Sequence, residues 1–129
     1  MENVKMRPVR PKHLDLAKIR LPLPGLVSIL HRITGIALFL SVPFLLYLLS
    51  GALGTPESFE AVRQMVSQPL LKLLAVGLVW ALLHHLLAGL RFLAADVHLG
   101  LELEMARLLS KGILVAGAVL AVAFGVAIW

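Results

Sequence analysis

The chain has 129 residues, 60% of them hydrophobic, with a formal net charge of +5 and a mean hydropathy of +0.94. A soluble domain carries about 45–50% apolar residues, so this composition points to a bilayer. There is no cysteine, which excludes disulfides, thiolate metal sites and cysteine-ligated iron–sulfur clusters. The basic residues sit mainly in the first 32 positions. That distribution fits a cytoplasmic flank rather than a nucleic-acid surface, and no nucleic-acid partner is expected.

Met1 to Gly25 is a polar arm holding Lys5, Arg7, Arg10, Lys12, Lys18 and Arg20 against Glu2 and Asp15. Pro8, Pro11, Pro22 and Pro24 disfavour a continuous helix there, with room for one short turn over 13–19. The arm suits anionic lipid headgroups.

Ile33 to Thr55 has no charge over 23 residues, Leu73 to Leu90 none but two histidines over 18, and Gly112 to Trp129 none over 18. About 20 residues span a bilayer core. With their flanks, these runs predict membrane helices over about 26–53, 69–95 and 107–129. The runs are apolar on every face and do not alternate, which excludes a β-barrel. The first run is too long for a signal peptide and two more spans follow it. The expected fold is an all-α membrane protein, one domain of three transmembrane helices over 1–129.

The first helix opens with Ser28, His31, Arg32 and Gly35 at i, i+3, i+4 and i+7, which is one face. Arg32 snorkelling and His31 capping is the structural reading of that face. Pro43 removes a backbone donor further along. In the first loop, Thr55 is placed to cap a short surface helix, with Pro56 at its first position and Glu57 in its first turn.

The second span carries His84 and His85 deep in an apolar run. An ionisable side chain at that depth is a functional-site hypothesis. Imidazole there relays protons, bonds a neighbouring helix or ligates a metal, of which haem iron is the commonest in a bundle. Adjacent residues point about 100° apart, so the two cannot ligate one iron from opposite sides. The stripe through His85 (Ala81, Ala88 or Gly89) is small and leaves room for a flat ring. The stripe through His84 (Trp80, Leu87, Arg91) is bulky, and His84 is expected to donate a hydrogen bond to a neighbouring helix. His98, Glu102 and Glu104 in the second loop match no metal motif. Gly117, Ala121 and Gly125 form a small-residue packing ridge on the third helix.

Two segments carry a family resemblance. RLPLPGLVSILHRITG, residues 20–35, resembles the start of the first membrane helix of the cytochrome b subunit of succinate dehydrogenase. HLLAGLRFLAAD, residues 85–96, resembles the same family's His-x-x-x-Gly-(Ile/Leu)-Arg…Asp stretch. The resemblance implies one of two small membrane anchors of respiratory complex II in a bacterial cytoplasmic membrane. The anchors hold a b-type haem between them and form a quinone site. A flavoprotein subunit oxidises succinate and an iron–sulfur subunit carries electrons. By motif position, His85 corresponds to the axial haem ligand, Ser28 and Arg32 to quinone-site residues, and His31 and Arg32 to positions that meet the haem propionates. Many members have a second histidine after the motif arginine; here Phe92 stands there, and that histidine's role cannot be transferred. Two other readings remain: a quinol–fumarate reductase anchor, and a haem-free structural anchor or small transporter subunit.

Overall fold

The structure is a computed structural model and describes residues 20–129. Residues 1–19 of the arm, with the short turn expected over 13–19, lie outside the described residues. Four helices follow in order: α1 (Leu23–Ala52), α2 (Pro56–Val66), α3 (Pro69–Asp96) and α4 (Leu103–Ile128). There is no strand among the described residues. Helices α1, α3 and α4 are each long and apolar enough to cross a membrane, so the chain is a multi-pass membrane protein.

Two spans start earlier than expected. α1 begins at Leu23 rather than near Leu26, because Pro24 falls in its first turn, where a missing N–H costs nothing. α4 begins at Leu103 rather than near Arg107, with Glu104 in its first turn beside the positive end of the helix dipole. α1 continues through Pro43 without a break in its 30 residues.

The short helix α2 is capped as its sequence requires. Thr55 accepts from the Ser58 N–H at 3.3 Å, and Pro56 opens the helix. Ser58 Oγ also donates to the Gly51 carbonyl at 2.8 Å, which ties α2 to the end of α1. On its exposed face, Arg63 donates to both carboxylate oxygens of Glu60, at 2.8 and 3.1 Å, and Gln64 adds a third bond. These bonds hold the Glu60 carboxyl below its ordinary value.

α3 is the central helix, packed on α4 along one side and on α1 along the other. The buried residues of α4 are Ala106, Ser110, Ile113, Gly117 and Ala121, spaced three or four apart. That is one helical stripe, and its small residues let the two backbones approach. A Cβ at Gly117 would lie 3.9 Å from the His84 backbone nitrogen, and one at Gly125 would lie 3.2 Å from Val76. The core proper is small: Val27 of α1, Ala88 of α3 and Ile113 of α4 meet at its centre. Most large apolar side chains face outward, as lipid or a partner helix allows and water does not.

α3 ends in a Schellman cap. Leu99 N–H bonds the Ala94 carbonyl and His98 N–H bonds the Ala95 carbonyl, both at 2.9 Å. His98 takes the left-handed position, φ 65°, that glycine usually fills. No group of three or more metal-ligating side chains occurs among the described residues.

Candidate functional site

The adjacent histidines of α3 face different neighbours. His85 turns toward α1. Its Nδ1 lies 3.0 Å from the His31 carbonyl oxygen. A carbonyl only accepts, so Nδ1 carries the proton and donates it. Thr34 Oγ1 lies 3.3 Å from the same nitrogen. That hydroxyl is 2.8 Å from the Leu30 carbonyl and 3.0 Å from that of His31. Its one proton goes to either of them, leaving an oxygen lone pair for Nδ1–H. Thr34 is 2% exposed. Nε2 of His85 has no hydrogen bond among the described residues.

α1 makes room for this ring by lacking a side chain. A Cβ at Gly35 would lie 2.9 Å from His85 Cε1. The His31 imidazole stacks on that of His85, centroids 4.0 Å apart and planes 8° from parallel. Phe92 meets His31 edge-on at 5.2 Å, and the Arg91 guanidinium lies 5.5 Å from the Phe92 ring. Gly89 supplies the matching gap on α3: a Cβ there would lie 3.4 Å from His31 Nε2.

His84 turns into the bundle and is 0% exposed. It stacks loosely on Trp80, centroids 5.4 Å apart. Neither ring nitrogen has a hydrogen-bond partner among the described residues. The polar group nearest to the ring across the bundle is the Val27 backbone of α1, the kind of neighbouring-helix partner expected for His84, though outside strict hydrogen-bond geometry. The structure corrects the assignment of the small stripe. Ala81 and Ala88 are buried on the same α3 stripe as His84, and Ala88 lies in the contact with Val27 and Ile113. Gly89 alone of that stripe faces the His31–His85 pair.

The face expected on α1 divides. His31 and Gly35 meet α3, Ser28 is half-buried, and Arg32 is exposed. Neither Ser28 nor Arg32 makes a side-chain hydrogen bond among the described residues. Thr34 is the residue that sequence reasoning passed over. Its signal was present: a hydroxyl three positions after His31, inside an uncharged run.

Three membrane-crossing helices, with the His85 imidazole held at its Nδ1 against α1, define a multi-pass helical membrane protein. Comparison with known proteins narrows that class. Residues 6–125 match the family described as Succinate dehydrogenase/Fumarate reductase transmembrane subunit, and the chain belongs to that family. It is 40% identical over 116 residues to the "Succinate dehydrogenase cytochrome b556 subunit" of Paracoccus denitrificans, covering 90% of this chain and 87% of the relative. It is 36% identical over 125 residues to the protein of the same name from Coxiella burnetii, covering 96% of this chain and all of the relative.

Proposed function

We propose that this chain is the membrane anchor of a succinate–quinone oxidoreductase, holding a b-type haem and helping to form the site where quinone is reduced. Its partners are a second anchor, an iron–sulfur subunit that supplies electrons, and a flavoprotein subunit that oxidises succinate. The names of the two relatives support the enzyme and the cytochrome.

The observation that carries the haem reading is the bond from His85 Nδ1 to the His31 carbonyl. A metal-bound histidine almost always donates its other ring N–H to a carbonyl or carboxylate, which fixes tautomer and orientation. The donor chemistry at His85 therefore fits an axial ligand, through Nε2. His31 and Arg32 are the residues of this chain that would meet the propionates, Arg32 with an exposed guanidinium suited to carboxylates. Since Ala81 and Ala88 are committed to packing within the chain, a second anchor would have to supply most of the wall around the ring and any further ligand. When bound, the haem supplies a one-electron store beside the quinone site.

Quinone is the substrate of the Ser28–Arg32 face. A carbonyl oxygen that gains electrons develops negative charge and then takes up protons. Ser28 offers a hydroxyl donor and Arg32 a fixed cation one turn further on. Both stand near the start of α1, at the membrane face where the iron–sulfur subunit docks. That face is cytoplasmic: seven Lys or Arg precede or open α1, and the positive-inside rule places the N-terminus inside and the C-terminus outside.

One observation favours a second ligand assignment. His84 has two buried, unpartnered ring nitrogens, which a metal would satisfy. Its complete enclosure within the chain argues against it. The test is the low-spin haem spectrum of His85→Leu beside His84→Leu in assembled complexes. His85→Leu is expected to change the iron's coordination and His84→Leu to preserve it. The reverse pattern would overturn the assignment.

A further inference from the structure

At the opposite membrane surface, away from the histidines, α1, the end of α2, α3 and the end of α4 line a half-open cleft of about 570 Å³. Its walls are apolar, with Phe44, Leu48, Leu74 and Leu78 among them. The one charged residue on them is Lys72, half-buried in the first turn of α3. The cavity has the size of a small-molecule site, roughly 300–1,000 Å³.

The charge at the mouth is specific in sign. Lys72 has no acidic partner among the described residues; its ammonium lies 5.6 Å from the Trp129 ring. Arg63, the other cation at this surface, is committed to Glu60. No side chain caps the start of α3, and the backbone N–H groups of Leu70 and Leu71 have no intrahelical acceptor. An ammonium with no acidic partner among the described residues, a helix N-terminus and an apolar cleft that opens between membrane-spanning helices meet at one point. Together they suit two parts of one kind of molecule: phosphate for the first two, hydrocarbon for the third.

We propose that this cleft binds one acyl chain of an anionic phospholipid, with its phosphate held at Lys72 and the α3 N-terminus. The position is at the interface, where a lysine stem lies along apolar surface and its charge reaches headgroup depth. Binding fills a void at the loose end of the bundle and braces α2 against α3.

The test uses the whole purified complex, delipidated in detergent and titrated with phosphatidylglycerol or phosphatidylcholine under native mass spectrometry. Wild type is expected to retain one phosphatidylglycerol per chain in preference to phosphatidylcholine. Lys72→Gln is expected to weaken that preference about fivefold, and Lys72→Arg to keep it. Ala75→Phe, which projects a ring into the cavity, is expected to exclude both lipids while Lys72 stays in place. An unchanged preference in Lys72→Gln, or unchanged lipid occupancy in Ala75→Phe, would overturn the proposal. So would cross-linking of a photoreactive side chain placed at Leu45 to a partner subunit rather than to lipid, or displacement of the phospholipid by a neutral isoprenoid quinone equally from wild type and Lys72→Gln.

Discussion

Replacing Gly35 by alanine sets a methyl group against the histidine pair. The new Cβ would stand 2.9 Å from His85 Cε1 and 3.4 Å from Nδ1, whereas carbon atoms rest about 3.5–4.0 Å apart. The ring must retreat by about 0.6 Å to reach even the near edge of that range. Two contacts resist the retreat: the 3.0 Å bond to the His31 carbonyl and the 4.0 Å stack on the His31 ring. Overpacking of this kind costs about 1–3 kcal/mol, and a lost hydrogen bond about 1 kcal/mol more. Alanine recovers about 1 kcal/mol of helix propensity over glycine, so the clash wins and the net loss is about 1–3 kcal/mol. Gly77→Ala is the control, since a Cβ there meets nothing within 4 Å. The assay is the thermal midpoint of the purified complex followed by circular dichroism, with the haem absorption spectrum recorded alongside. Gly35→Ala is expected to lower the midpoint and broaden the spectrum, while Gly77→Ala does neither. If the two variants behave alike in both measurements, the cradle argument fails.

Ser28→Ala and Arg32→Leu are expected to reduce quinone turnover at least tenfold, about 1.4 kcal/mol of lost transition-state stabilisation, while succinate oxidation by an artificial dye stays intact; unchanged quinone turnover in both would remove the site. Reporter fusions should place the N-terminus in the cytoplasm and the C-terminus outside, and a cytoplasmic C-terminus would contradict the charge argument. Gly117→Ala should be tolerated, because the added Cβ meets Trp80 at an ordinary 3.8 Å, whereas Gly117→Leu should force α3 from α4 at about 1–3 kcal/mol, read as a lower thermal midpoint. His98→Gly should raise that midpoint slightly by relieving a left-handed residue worth about 1–2 kcal/mol, partly offset by glycine's chain entropy; His98→Val should lower it, and equal midpoints would deny the strain.

The spans, the α2 cap and the Gly117 ridge were legible because each follows from local chemistry: uncharged length, a Thr-Pro start, small residues four apart. The division of labour between His84 and His85 was not. Ala81 precedes His84 by three and His85 by four, and Ala88 follows them by four and three. Both spacings fit a shared helix face, so the sequence pattern places these alanines equally well beside either ring. The neighbours decide. α4 brings Gly117 and Ile113 to one side of α3, and α1 brings Gly35 and the His31 carbonyl to the other. Thr34 escaped notice for a related reason. Within helices, a threonine usually bonds its own preceding turn, and here it does that while also meeting a nitrogen 51 positions away.

The enclosure of His84 has a consequence for biogenesis. A bare imidazole facing hydrocarbon is costly during insertion, and α4 removes that cost by covering it with the Gly117 stripe. Helix association within this single polypeptide is therefore favoured as soon as all three spans are threaded. His85 is only half-buried, and its cover comes from α1, through the stacked His31 ring and Thr34. The two adjacent imidazoles are thus covered by different helices, one sealed by α4 and the other half-buried against α1.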